Sequence, residues 1–133
     1  MPFSQLPFIT YGTTRLGDKS IPEADRVKLT LEVIKTGAWL HTSAQYGDAE
    51  SILGQAFKQA PAPKLMIKIQ GNNIAEMRAD IQRNISTMGV PGVEIGQLCP
   101  GGDISKELTL GGAVYEELQK IKAEGLVKTF VLE

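Results

Sequence analysis

Lys64-Leu-Met-Ile-Lys-Ile-Gln-Gly-Asn-Asn-Ile-Ala-Glu-Met-Arg-Ala-Asp-Ile-Gln-Arg-Asn-Ile-Ser-Thr-Met-Gly-Val-Pro-Gly-Val-Glu-Ile-Gly-Gln-Leu-Cys99 is the stretch that decides the fold. It begins with a short apolar run, Lys64–Ile69, which reads as a strand. Ile74, Met77, Ile81, Ile85 and Met88 then recur at helical spacing, and Gly89 and Pro91 end that helix. Val93–Cys99 reads as the next strand, stopped by Pro100-Gly-Gly. A strand, helix and strand in this order require parallel strands joined by a right-handed crossover.

The same alternation runs outward in both directions. Upstream, Phe8–Tyr11 reads as a first strand ending at Gly12. Ser20-Ile-Pro-Glu23 has the form of a capping box with proline in the first turn. Ala24, Val27, Leu31 and Ile34 follow at helical spacing, closed by Gly37. Ala38–His41 reads as a second strand. Asp48 and Glu50 then place carboxylates at a helix start, where the macrodipole favours them. Ile52, Leu53, Ala56, Phe57 and Ala60 form the buried stripe of that helix. Downstream, a fourth helix starts near Ala113, with Val114, Leu118 and Ile121 inward and Gly125 at its end. Val127–Leu132 is a fifth strand. Five strands and four helices in strict alternation fit a doubly wound open sheet or part of a barrel, and periodicity alone does not separate the two.

Composition narrows the function. The 133 residues are expected to form one domain, 1–133. Fourteen Lys+Arg against fifteen Asp+Glu leave a net charge of −1, which offers little to a nucleic-acid backbone. No run approaches the roughly 18 apolar residues of a membrane span. The opening Met1-Pro-Phe-Ser-Gln-Leu-Pro-Phe8 is not a secretory leader, and a single cysteine forms no internal disulfide. A soluble, cytoplasmic protein is the expectation.

In parallel α/β folds ligands bind outside the carboxyl ends of the strands. Those ends carry Gly12-Thr-Thr-Arg15, His41-Thr-Ser-Ala-Gln-Tyr-Gly47, Lys68 and Cys99-Pro100. A lysine beside a tyrosine stabilises phenolate, so Tyr46 is a candidate proton donor or acceptor and Lys68 its tuner. The plainer reading makes Tyr46 a loop aromatic and Lys68 a surface charge. Cys99 is expected to be a buried, inert thiol. One His and one Cys cannot build the usual three- or four-ligand metal site, so no metal is expected.

These residues together resemble the aldo-keto reductase family. Thr10-Tyr-Gly-Thr-Thr-Arg-Leu-Gly17 is similar to that family's first strand and loop. His41-Thr-Ser-Ala-Gln-Tyr-Gly47 with Glu50-Ser-Ile-Leu-Gly54 resembles its Asp-Thr-Ala-x-x-Tyr-Gly…Glu-x-x-Leu-Gly signature. Met66-Ile-Lys68, Glu94-Ile-Gly-Gln-Leu-Cys-Pro100 and Lys122-Ala-Glu-Gly-Leu-Val-Lys128 follow in the family's order. The resemblance implies a partial (β/α)8 barrel of about five parallel strands, from the family's N-terminal half. It also implies NADPH-linked reduction of a small aldehyde or ketone, with Tyr46 as acid and Lys68 as tuner. Gly12, Thr13 and Thr14 are the implied cofactor contacts.

Two catalytic positions depart from the pattern. His41 stands where the family has an aspartate, and Cys99 where it has a histidine. Neutral imidazole does not anchor an ammonium by charge, and protonated imidazole repels it. A thiol is a weak hydrogen-bond donor. Each loss in an acid–base site is expected to lower the rate by about 10²–10⁴. A complete barrel needs roughly 200–250 residues, and the family binds most of its dinucleotide through the half that lies beyond this sequence. Competent catalysis by the chain alone is therefore open, and a non-catalytic interaction or scaffold module is the alternative. Five strands do not close a barrel, so their exposed edges predict a homo-oligomer or a complementary fragment.

Overall fold

The computed structural model describes residues 9–99 and 112–132. Five strands form one sheet: β1 (Thr10–Gly12), β2 (Trp39–Ser43), β3 (Leu65–Ile69), β4 (Val93–Leu98) and β5 (Val127–Leu132). Among the described residues four helices lie between them: α1 (Glu23–Lys35), α2 (Ala49–Phe57), α3 (Ile74–Met88) and α4 (Ala113–Ala123). A 3-10 turn at Thr14–Gly17 follows β1.

The sheet order is β1-β2-β3-β4-β5 and every neighbouring pair is parallel. This order decides what periodicity left open. A doubly wound sheet reverses its strand order at a switch point, and none occurs here. Right-handed crossovers that always step to the next strand put every helix on the same face, which is the arrangement of a barrel wall.

The core lies between that face and the helices. Leu40, Leu65, Ile67, Ile69 and Leu98 from the strands meet Leu53, Met77, Ile81, Val114, Leu118 and Ile121 from the helices. Gly54 and Gly96 are close-approach positions in this layer. A Cβ on Gly54 would lie 2.6 Å from the Thr87 carbonyl oxygen, and one on Gly96 2.6 Å from Ile69 Cδ1. Gly89, at φ +68°, supplies the left-handed residue that stops α3.

Several sequence expectations are corrected. Phe8 lies outside the described residues, and β1 begins at Thr10. The second strand runs two residues further than expected, so Thr42 and Ser43 are buried strand positions. No capping box forms at Ser20: Pro22 precedes α1, and the Ser20 hydroxyl donates to Asp18. The buried side of α1 carries Arg26, Val27, Thr30 and Val33, while Ala24 is exposed. The polar members are tolerated because they are bonded; the Thr30 hydroxyl, for example, donates to the Arg26 carbonyl at 2.9 Å. Ala60 lies beyond the end of α2. Glu50 lies in the first turn of α2, as expected, and is only 6% exposed.

Candidate functional site

Strand alternation sends every second side chain to the face away from the helices. Register aligns these positions in two rows. Gly12, His41, Met66, Ile95 and Thr129 form one row. Ser43, Lys68, Gln97 and Val131 form the other, nearer the carboxyl ends. In the row nearer the carboxyl ends the polar groups Ser43, Lys68 and Gln97 stand side by side on β2, β3 and β4.

His41 reaches diagonally across β3. Its Nε2 lies 3.0 Å from Gln97 Oε1, within hydrogen-bond distance. The bond joins the two strands that flank Lys68. Sequence reasoning passed over Gln97; its parity with the inward positions of β4 was the available signal. Lys68 sits in register between Ser43 and Gln97.

Tyr46 belongs to the turn that leaves β2. Its N–H donates to the Ser43 carbonyl at 3.1 Å, and its carbonyl accepts from Ala49 N–H at 3.0 Å. The turn is thereby tied to Ser43, the register partner of Lys68. Tyr46 is half-buried and packs against the main core. Gly17 makes room for the turn, since a Cβ there would collide with the Tyr46 carbonyl.

One buried cation holds this loop region together. Arg26 Nη1 donates to the Leu16 carbonyl at 2.8 Å and to Asp48 Oδ1 at 2.6 Å, and its Nε donates to the Ile21 carbonyl at 3.0 Å. It joins the loop after β1 to the start of α2. The guanidinium holds the Asp48 carboxyl below the usual carboxylate range. The apolar spacing of the sequence does not single out position 26, because a charged residue in a helical pattern gives no sign of burial.

The expected cofactor positions divide. Gly12 is exposed, with nothing within 4 Å of the place a Cβ would take. Thr14 is exposed as well. Thr13 is fully buried, and its hydroxyl donates to the His41 carbonyl at 3.0 Å. Cys99 is half-buried rather than buried. Its N–H continues the pairing of β4 with β3 by donating to the Ile69 carbonyl at 3.1 Å. Together with Gln70, Gly71, Asn72, Glu76, Asp80 and others it lines a cavity of about 590 Å³ beside α3. Among the described residues no group of three or more His, Cys, Asp or Glu is placed to hold a metal ion. No described helix is long and apolar enough to cross a membrane.

No protein-family model matches the sequence, and no curated protein matches it. Solved structures do match. An aldo/keto reductase from Klebsiella pneumoniae, solved with NADP and acetate, shares 22% identity at a TM-score of 0.79, over 96% of this chain and 45% of that one. The glycerol dehydrogenase of Gluconobacter oxydans shares 18% at a TM-score of 0.80, over 96% and 44%. An aldo-keto reductase from Bacillus halodurans shares 17% at 0.75, over 94% and 45%. The chain spans about half the length of the structures it matches. Sequential parallel strands with helices on one face, superposing this well on solved reductases, give this chain the partial-barrel fold of the aldo-keto reductases.

Proposed function

We propose that the chain contributes the acid–base side of an NADPH-dependent reductase of small aldehydes or ketones. The observation that supports this reading is the position of Lys68. It stands between Ser43 and Gln97 near the carboxyl ends of parallel strands, next to the turn that carries Tyr46. In this reading the Tyr46 hydroxyl protonates the carbonyl oxygen as it gains negative charge, and the Lys68 ammonium stabilises the resulting phenolate. Gln97 and His41 form a polar pair against which a carbonyl compound orients. NADPH, when bound, supplies the hydride. The chain's fit to that cofactor rests on Gly12, whose bare backbone opens onto the same row as His41, and on the exposed Thr14 beside it. Thr13 serves by fixing the β1 loop to His41.

The test has two parts. NADPH is expected to quench the fluorescence of Trp39, which shares a strand face with His41 two residues on. Tyr46→Phe is expected to abolish carbonyl-dependent NADPH oxidation while cofactor affinity stays nearly unchanged. Turnover retained by Tyr46→Phe removes Tyr46 from the acid role.

A second reading, a non-catalytic interaction module, is favoured by one observation. Position 41 offers no carboxylate to Lys68, and its imidazole is engaged by Gln97. NADPH titration separates the two readings, because a scaffold has no need of the cofactor. In either case we propose a partner, either a second copy of this chain or a complementary fragment of barrel. It would cover the open sheet face and pair with β1 and β5, each of which has one neighbour among the described strands.

A further inference from the structure

In the two rows of the open sheet face the titratable groups are Lys68 and His41. Both are basic, and both are half-buried, as is Gln97. The described strands hold one carboxyl, Glu94 of β4, and Lys128 of β5 engages it at 3.2 Å. The face that carries the candidate site therefore receives negative charge rather than supplying it. A half-buried ammonium meets an anion in a medium of lower dielectric than bulk water, so their attraction is reduced less than at an exposed surface.

The groups around Lys68 narrow the kind of anion. Gln97 has its Oε1 3.0 Å from His41 Nε2, which leaves the NH2 end of its amide as a donor for another acceptor. It stands in register beside Lys68, one strand away, at a strand spacing of about 5 Å. An ammonium and an amide on adjacent strands suit the two oxygens of one carboxylate. On the other side Ser43 is buried, and its Oγ accepts from Gln45 N–H at 3.2 Å, so it is engaged within its own turn. Charge narrows the choice in the same direction. One ammonium balances the single charge of a carboxylate, whereas a phosphate monoester carries about 1.5–2 negative charges. His41 adds a second positive charge only when protonated. Beyond Gln97 the same face continues with Ile95, half-buried, and Val131, 39% exposed, which suit a short carbon chain.

We propose that the carbonyl compound taken by this site is an oxo acid, its single carboxylate held by the Lys68 ammonium and the Gln97 amide and its carbonyl left to the Tyr46 turn. The carbonyl end rests on the reductase reading; the carboxylate contact does not depend on turnover.

Binding is read on the full chain without NADPH, by amide chemical-shift titration, with 2-oxobutanoate, its uncharged methyl ester and inorganic phosphate as probes. The acid is expected to bind at least about tenfold more tightly than the ester, as a charge-assisted contact provides, and more tightly than phosphate. Lys68→Met is expected to abolish the preference for acid over ester. Gln97→Leu is expected to reduce it by about threefold or more, and it tests the contact from another strand should Lys68→Met not fold. Gln97→Glu, which sets a carboxylate beside the ammonium, is expected to abolish binding of the acid. Acid and ester binding equally, or the acid not binding at all, overturns the proposal. A preference that survives both Lys68→Met and Gln97→Leu does the same, and phosphate binding as tightly as the acid overturns the assignment to a carboxylate. The two readings fail separately. A chain that prefers the acid yet oxidises no NADPH with it keeps the carboxylate contact and removes the reductase reading. NADPH oxidation as fast with the ester as with the acid keeps the reductase reading and removes the oxo acid.

Discussion

A carboxylate and an imidazole at position 41 would serve Lys68 differently. The carboxylate attracts an ammonium at every pH above its own titration, whereas imidazole bonds as a dipole or repels as a cation. Here the imidazole is turned to Gln97 at 3.0 Å. His41→Asp therefore has a definite expected outcome. It removes the Gln97 bond and supplies an anion on the strand next to Lys68. Under the proposed function, NADPH-dependent carbonyl turnover is expected to rise by about tenfold or more, within the range that acid–base groups contribute. Steady-state assays of the variant against wild type check this, and unchanged or lower turnover counts against the proposed role of Lys68. Position 99 offers a milder change. Cys99 is half-buried beside the polar cavity of α3, so its thiol is no core filler. That position 99 carries a thiol where the resembled family has imidazole was plain from the residues. The engagement of His41 by Gln97 was not, because the two are 56 positions apart in sequence and meet only across β3.

At the scale of elements, two contacts carry the geometry of the candidate site. Arg26 ties the loop after β1 and the start of α2 to α1 through three hydrogen bonds. Arg26→Met keeps much of the side-chain volume and removes all three. It leaves Asp48 and two carbonyls without their donor, and is expected to lower stability by about 2–4 kcal/mol in chemical denaturation. A loss below the error of the measurement would show that the loops are held by other contacts. Gly54 sets the spacing of α2 and α3. Gly54→Ala places a methyl group 2.6 Å from the Thr87 carbonyl oxygen, and backbone does not move aside as a flexible side chain does. It is expected to cost about 1–3 kcal/mol, although alanine is the better helix former. An increase in thermal stability would refute the close approach. Helix α3 was the most legible element: Met77, Ile81, Ile85 and Met88 are all buried as their spacing predicts. On α1 the apolar spacing found Val27, Leu31 and Ile34, but the buried side also carries Arg26 and Thr30, since pattern reading cannot see the partners that satisfy a buried polar group.

For the whole molecule, the open sheet is the dominant physical fact. One face packs on helices, while the other leaves Met66 and Ile95 only half-buried and Val131 39% exposed. Among the described residues, strands β1 and β5 each have one neighbour and present backbone donors and acceptors that a closed barrel would pair. The proposed partner predicts concentration-dependent association in sedimentation equilibrium. Val131→Lys places a charge on the β5 side of the open face and is expected to weaken that association at least tenfold. A compact monomer at all concentrations, unaffected by Val131→Lys, would remove a second copy as the partner.

Local patterning alone established the number, kind and order of the described elements, because helical and strand periods are written in the spacing of apolar residues. It also placed Tyr46 and Lys68 at strand ends, because those ends are marked by glycine and polar residues. Tertiary structure alone decided between barrel wall and doubly wound sheet, which share one sequence pattern and differ only in which strands become neighbours. The burial of Arg26 and Glu50, and the meeting of His41 with Gln97, likewise needed three dimensions. A side chain's partners depend on what packs opposite it, and no spacing along one strand or helix records that.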